Sequence, residues 1–193
     1  MNIDYAELCR KHITGILLKH YHKSKDNKIY VRNMFYSHIT YAKEINTKWI
    51  SNRAYLNRKE KRPTLDHFIT PRLMITALIE ERPDILQDKI EFKKIFELCR
   101  SVVGVTPHEN SSLRYDKDDD GTIVIKECTA EKYNKLGHWW IVKNNKIEAD
   151  SVEFPLLDMI PTWFLNWEQK MASNSIKNKN VKRSLTAVGT LVG

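Results

Sequence analysis

Cysteine is scarce in this 193-residue chain. Cys9, Cys99 and Cys128 stand far apart, are odd in number and form no C-x-x-C pair. That pattern excludes a zinc ribbon and a disulfide scaffold, and reduced thiols in a cytoplasmic protein are the expectation. Glycine and proline number six each, too few for a collagenous or linker protein. Long apolar runs are missing too. The N-terminal MNIDYAELCRKH lacks a signal-peptide core, and no stretch reaches the length of a membrane span, so no membrane partner is expected. There is no Gly-rich phosphate loop, no G-x-S-x-G, no Cys-His nucleophile arrangement and no internal repeat.

What remains is charge and aromatic surface. Lys and Arg number 32 against 24 Asp and Glu, giving 32 − 24 = +8, with 10% aromatic residues. That aromatic content and balance exclude a disordered chain. The pI near 9.3 favours an anionic partner, nucleic acid being the commonest. A chain of this length buries about 70% of its unfolded surface, enough for one sizeable core. One domain is expected over residues 1–168. A basic, flexible tail follows over 169–193, where Lys170, Lys177, Lys179, Lys182 and Arg183 meet no anion.

Caps and periodicity give a mostly helical α+β chain. Asp4 with Glu7 opens a first helix, expected to fray around His22–Lys28. Phe35, Ile39, Ala42, Ile45 and Trp49 fit one face of a second helix. Residues 63–70 read as extended. Thr70-Pro71 starts a helix that Pro83 stops, and Asp88 with Glu91 starts another, with Gly104 as its stop. Thr106-Pro107-His108-Glu109 is a further start signal. Trp139–Val142 and Lys146–Ala149 read as strands around Asn144-Asn145.

The sharpest chemical feature is Arg62-Pro63-Thr64-Leu65-Asp66-His67, followed at a distance by Val105-Thr106-Pro107-His108-Glu109-Asn110 and Leu113. Phosphodiester hydrolysis needs a base for the water proton, which an imidazole supplies near neutral pH. It also needs positive charge at the phosphate, which a divalent metal on a carboxylate provides. Adjacent residues on a strand point to opposite sides, so a bend must bring Asp66 and His67 to one phosphate. Five cations, Arg53, Arg58, Lys59, Lys61 and Arg62, precede the pair and are placed to grip phosphates.

These motifs resemble a phage-type branch of the HNH, or ββα-metal, endonucleases. There an Asp-His pair is followed by a proline, a helical insertion and a segment like V-T-x-E-N-x-x-L. Asp66-His67, Pro71 and Val105-Thr106-x-x-Glu109-Asn110-x-x-Leu113 follow that order. The resemblance implies a metal-dependent endonuclease, acting on DNA by preference, with its core at about residues 60–135. In it His67 is the general base, Asp66 a ligand of Mg²⁺ (or Mn²⁺), and Asn110 the amide that orients the His67 loop. A central ββα-like unit flanked by helices, with a small β-hairpin region, is the expected fold. The spacing from His67 to Asn110 exceeds that of compact HNH domains. For the last metal ligand Asp118 and Asp119 are candidates, as are Asn134 and His138.

Asp116 to Glu127 also fits a calcium-loop pattern, with acids at Asp116, Asp118 and Asp120, Gly121 at the turn and Glu127 last. The β-branched run Thr122-Ile123-Val124-Ile125 argues for a strand there, so a β-hairpin with a polar turn ranks ahead of a Ca²⁺ site. Two rival functions stand beside the nuclease. One is a non-enzymatic nucleic-acid-binding or host-takeover protein. The other is a calcium-binding interaction protein using residues 116–127.

Overall fold

A computed structural model describes residues 4–111, 114–144 and 146–189, with the side chains of residue 16 and of residues 176–189 outside the description. Asp4 caps α1 (Tyr5–His12), its carboxylate accepting the Glu7 N–H at 3.1 Å. A π turn (Ile13–Leu17) and a 3-10 turn (Leu18–Lys23) bend the chain. Ser24 then caps α2 (Lys25–Tyr41), so the stretch expected to fray is a junction between helices.

Two boundaries differ from the sequence expectation. α2 ends at Tyr41, and Ile45 and Trp49 lie on strand β1 (Ile45–Ser51). Their helical spacing is real, but pairing on both sides of β1 outweighs it. After α3 (Asn52–Asn57), β2 (Thr64–His67) and α4 (Pro71–Glu81) comes α5 (Lys89–Arg100), which Asp88 caps through the N–H groups of Ile90 and Glu91. α5 stops at Arg100, and Gly104 is not its cap: it sits inside the wholly buried strand β3 (Ser101–Val105). There it permits close packing, because a Cβ at that position would lie 2.5 Å from Ile50 Cγ2.

α6 (Pro107–Ser111), β4 (Tyr115–Lys117), β5 (Ile123–Ile125), α7 (Thr129–Lys135), β6 (Trp139–Lys143), β7 (Lys146–Ser151) and α8 (Thr162–Gly189) complete the fold. The five-stranded sheet runs β2-β3-β1-β6-β7, with β1 parallel to β3 and the other pairs antiparallel, and β4-β5 is a separate hairpin. The chain is thus mixed α+β and mostly helical, 55% helix against 20% strand. β2 and β3 pair across the two-helix insertion and α6 follows, which is the expected strand, strand, helix order.

Val103, Val105 and Trp139 face the main core. Phe35 meets Phe92 and Phe96 edge-on there, joining α2 to α5, and Tyr133 stacks on Phe154. Each such buried aromatic ring contributes about 2 kcal/mol. Ile50 is paired with both Gly104 and Trp140, so these three share the opposite face, which packs against α3.

Candidate functional site

Strand β2 is regular through the Asp-His pair. Asp66 stands opposite Val103 and His67 opposite Val102 on β3. The bend required to aim both side chains at one phosphate is absent, and alternation sends them apart. β2 is one of the two edge strands of the sheet, and it borders a cleft of about 260 Å³ that both residues line.

Asp66 turns toward α7. Its Oδ2 accepts from Lys132 Nζ at 2.8 Å and from the Tyr133 hydroxyl at 2.6 Å. α7 presents both donors because Glu131 accepts the Cys128 N–H and so closes the first turn of the helix. The Lys132 side chain is only 5% exposed. Burial lowers its pKa, Asp66 opposes that shift and Arg114 adds to it. Burial, with the Asp66 charge next, holds the Tyr133 hydroxyl well above its usual range, so it stays a donor.

His67 turns the other way. Its Nδ1 lies 2.8 Å from the Cys99 carbonyl oxygen. A carbonyl only accepts, so Nδ1 carries the proton and a neutral ring keeps its lone pair on Nε2. Nε2 is buried without a hydrogen bond, and Glu44 Oε1 stands 3.5 Å from it. The ring is therefore oriented by a backbone carbonyl rather than by Asn110. Asn110 is exposed on α6 and lines the same cleft, but among the described residues its amide makes no hydrogen bond to the His67 loop. α6 itself is fixed by Glu109, whose Oε2 accepts the Thr106 N–H at 2.7 Å and the Ser51 hydroxyl at 2.8 Å.

Three cations that the motifs do not include complete the cleft: Arg72, Arg114 and Lys132. Arg114 donates to the hydroxyls of Thr129 and Thr70. The Thr129 hydroxyl in turn donates a hydrogen bond to Glu168 Oε1 at 2.8 Å. Burial raises the pKa of Glu168, with Arg114 and Thr129 opposing. Arg72 donates from Nε to Asn33 Oδ1 at 3.2 Å and lies 4.4 Å over the Tyr36 ring.

A divalent metal does not fit these residues as arranged. Of the two Asp66 oxygens, Oδ2 already accepts from an ammonium and a phenol. Among the described residues no three His, Cys, Asp or Glu side chains converge on a common point. The further candidate ligands are elsewhere. Asp118 Oδ1 accepts the N–H groups of Asp120 and Thr122, Asn134 Oδ1 accepts the Phe154 N–H, and His138 pairs with Asp150 at 2.7 Å. Asp119 is exposed in the hairpin turn.

Residues 116–127 form the β4-β5 hairpin, and the acids do not gather. Asp116 pairs with Lys126 across the strands, Glu127 pairs with Lys135, and Asp118 and Asp120 lie in the turn that Gly121 closes at φ +72°. The strand preference of residues 122–125 prevails over the helix a calcium loop requires.

The basic run lies on α3 and the turn after it. Arg53, Lys59, Lys61 and Arg62 are exposed. Among the described residues none of these, nor Arg58, forms an ion pair. Arg58 lies 3.9 Å over Tyr55, Tyr55 stacks on Trp140 at 4.9 Å, and Trp140 stacks on His138 at 4.3 Å. Of the tail cations, Lys170 pairs with Glu81, and the side chains of Lys177, Lys179, Lys182 and Arg183 lie outside the described residues. No helix of the described residues is long and apolar enough to cross a membrane.

Comparison with known proteins adds no relative: no family model, no curated protein and no solved structure matches the chain.

Proposed function

We propose that the chain hydrolyses phosphodiester bonds of a nucleic acid, DNA by preference, at the edge of β2, with His67 taking the proton of the attacking water. One observation carries this. A single open cleft is lined by Asp66 and His67 and by Asn110 from a segment far along the chain, beside Arg72, Arg114 and Lys132. The Cys99 carbonyl fixes the ring with Nε2 as the proton acceptor. The carboxylate of Glu44 covers that nitrogen and must swing aside for water to reach it, as an exposed side chain between α2 and β1 is free to do. Positive charge at the phosphate comes from the cleft cations, and the exposed run from Arg53 to Arg62 holds the rest of the strand.

A second function, binding without cleavage, is favoured by the commitment of Asp66 to Lys132 and Tyr133. Purified protein incubated with single- and double-stranded DNA and RNA, in EDTA or with Mg²⁺, Mn²⁺ or Ca²⁺, separates the two. Hydrolysis predicts products that His67→Ala abolishes while mobility shifts persist. Shifted bands with no products in any arm leave only the binding function.

A further inference from the structure

The cleft at the edge of β2 carries more positive charge than its one carboxylate balances. Asp66 answers Lys132 alone. Two guanidiniums are left over. Arg114 is 4% exposed, and its acceptors are the neutral hydroxyls of Thr70 and Thr129. The only protein acceptor of Arg72 among the described residues is the Asn33 amide, reached through Nε, which leaves both Nη groups free. Its plane is held over Tyr36. Neither arginine forms an ion pair among the described residues.

All the hydrogen bonds of Arg114 go to neutral hydroxyls, and its buried counter-charge, Glu168, is reached only through Thr129, an arrangement that leaves a guanidinium incompletely satisfied. An anion with several oxygens relieves it, and the planar fork of arginine matches phosphate in particular. The geometry points to a phosphate-binding subsite in this cleft, formed by Arg72 and Arg114 with Lys132 beside them, which takes the phosphate group of a nucleic-acid backbone or free phosphate without a divalent ion. The subsite goes beyond hydrolysis at His67, because it stands whether or not that histidine turns a substrate over. It also gives Lys132 a definite task. By pairing with Asp66, Lys132 offsets the carboxylate that lines the cleft and would repel the anion.

Two titrations in EDTA test this, one of inorganic phosphate by calorimetry and one of a fluorescein-labelled single-stranded oligonucleotide by anisotropy. The wild-type chain is expected to bind both, with phosphate displacing the oligonucleotide. Arg72→Ala weakens each by about 10-fold, as the loss of one charge-assisted contact requires, and lowers the salt slope of oligonucleotide binding by about one. Arg114→Lys keeps the charge, loses the fork and weakens both. Circular dichroism checks that each variant is folded, and the half-buried Arg72 carries the test if Arg114→Lys does not fold. Phosphate binding without oligonucleotide binding upholds the subsite and removes nucleic acid as its source, and with it the proposed hydrolysis. The subsite is overturned by any of three results: no heat with phosphate, wild-type affinities in the folded variants, or binding that appears only when Mg²⁺ is added.

Discussion

Two acidic regions of this protein match known site patterns, and the better match makes the poorer site. Residues 116–127 satisfy a calcium-loop pattern at every key position, yet Asp116, Asp118 and Glu127 find local partners and the segment folds as a hairpin. Asp66-His67 is only a dipeptide, yet its strand is an edge whose cleft also collects Asn110, Arg72, Arg114 and Lys132 from four other segments. A spacing pattern records which residues are near in the chain. Convergence on a ligand depends on the secondary structure that the intervening residues prefer. The run Thr122-Ile123-Val124-Ile125 chose a ladder, whereas the short β2 ended at a cleft.

The difference has consequences for stability. The largest effect is expected at the Asp66–Lys132 pair. Lys132→Met leaves a largely buried carboxylate without its cation and costs about 3 kcal/mol, while Asp66→Asn with Lys132→Met recovers most of it, since the Tyr133 hydroxyl keeps an acceptor. Urea denaturation of the single and double variants measures both. Equal losses in the two would show that the pair is not what holds α7 to β2.

In the hairpin the backbone matters more than the acids. Gly121→Ala forces an L-residue to φ +72° and costs about 1–2 kcal/mol. Asp116→Asn, which breaks only an exposed, solvent-screened pair, costs less. Thermal melts of the two variants rank them, and the reverse order would restore a structural role to the acids.

A smaller effect concerns pH. Burial raises the pKa of Glu168 in the folded chain. Its contribution to stability is therefore fully present below the unfolded carboxyl pKa and is lost as pH rises through the folded value. Glu168→Gln should flatten that part of the stability–pH profile, and an unchanged profile would count against a Glu168 pKa raised by burial.

Local features of this fold were legible in the sequence. Asp4, Asp88 and the Thr106–Glu109 box act within one helical turn, and each appears as expected. The β6-β7 and β4-β5 hairpins were legible for the same reason. Sheet membership was not. Ile45 and Trp49 carry helical spacing, and only pairing with the distant β3 and β6 makes them a strand. The same limit hid half of the cleft. Lys132 and Tyr133 reach Asp66 across more than sixty residues, and nothing near them in the chain marks them as its partners. Arg114 directly follows the Val105–Leu113 segment that supplies Asn110, which was the one available hint. The separation of Asp66 from His67 by strand alternation was foreseeable from geometry, and so was the need for a bend that β2 does not make.

The most direct measurement compares cleavage by three proteins on one labelled DNA substrate: wild type, His67→Ala, and a hairpin variant carrying Asp116→Asn with Glu127→Gln. Chemistry seated at the edge of β2 predicts products from the wild type and the hairpin variant at equal rates and none from His67→Ala. Undiminished cleavage by His67→Ala, or its loss in the hairpin variant alone, would contradict that placement.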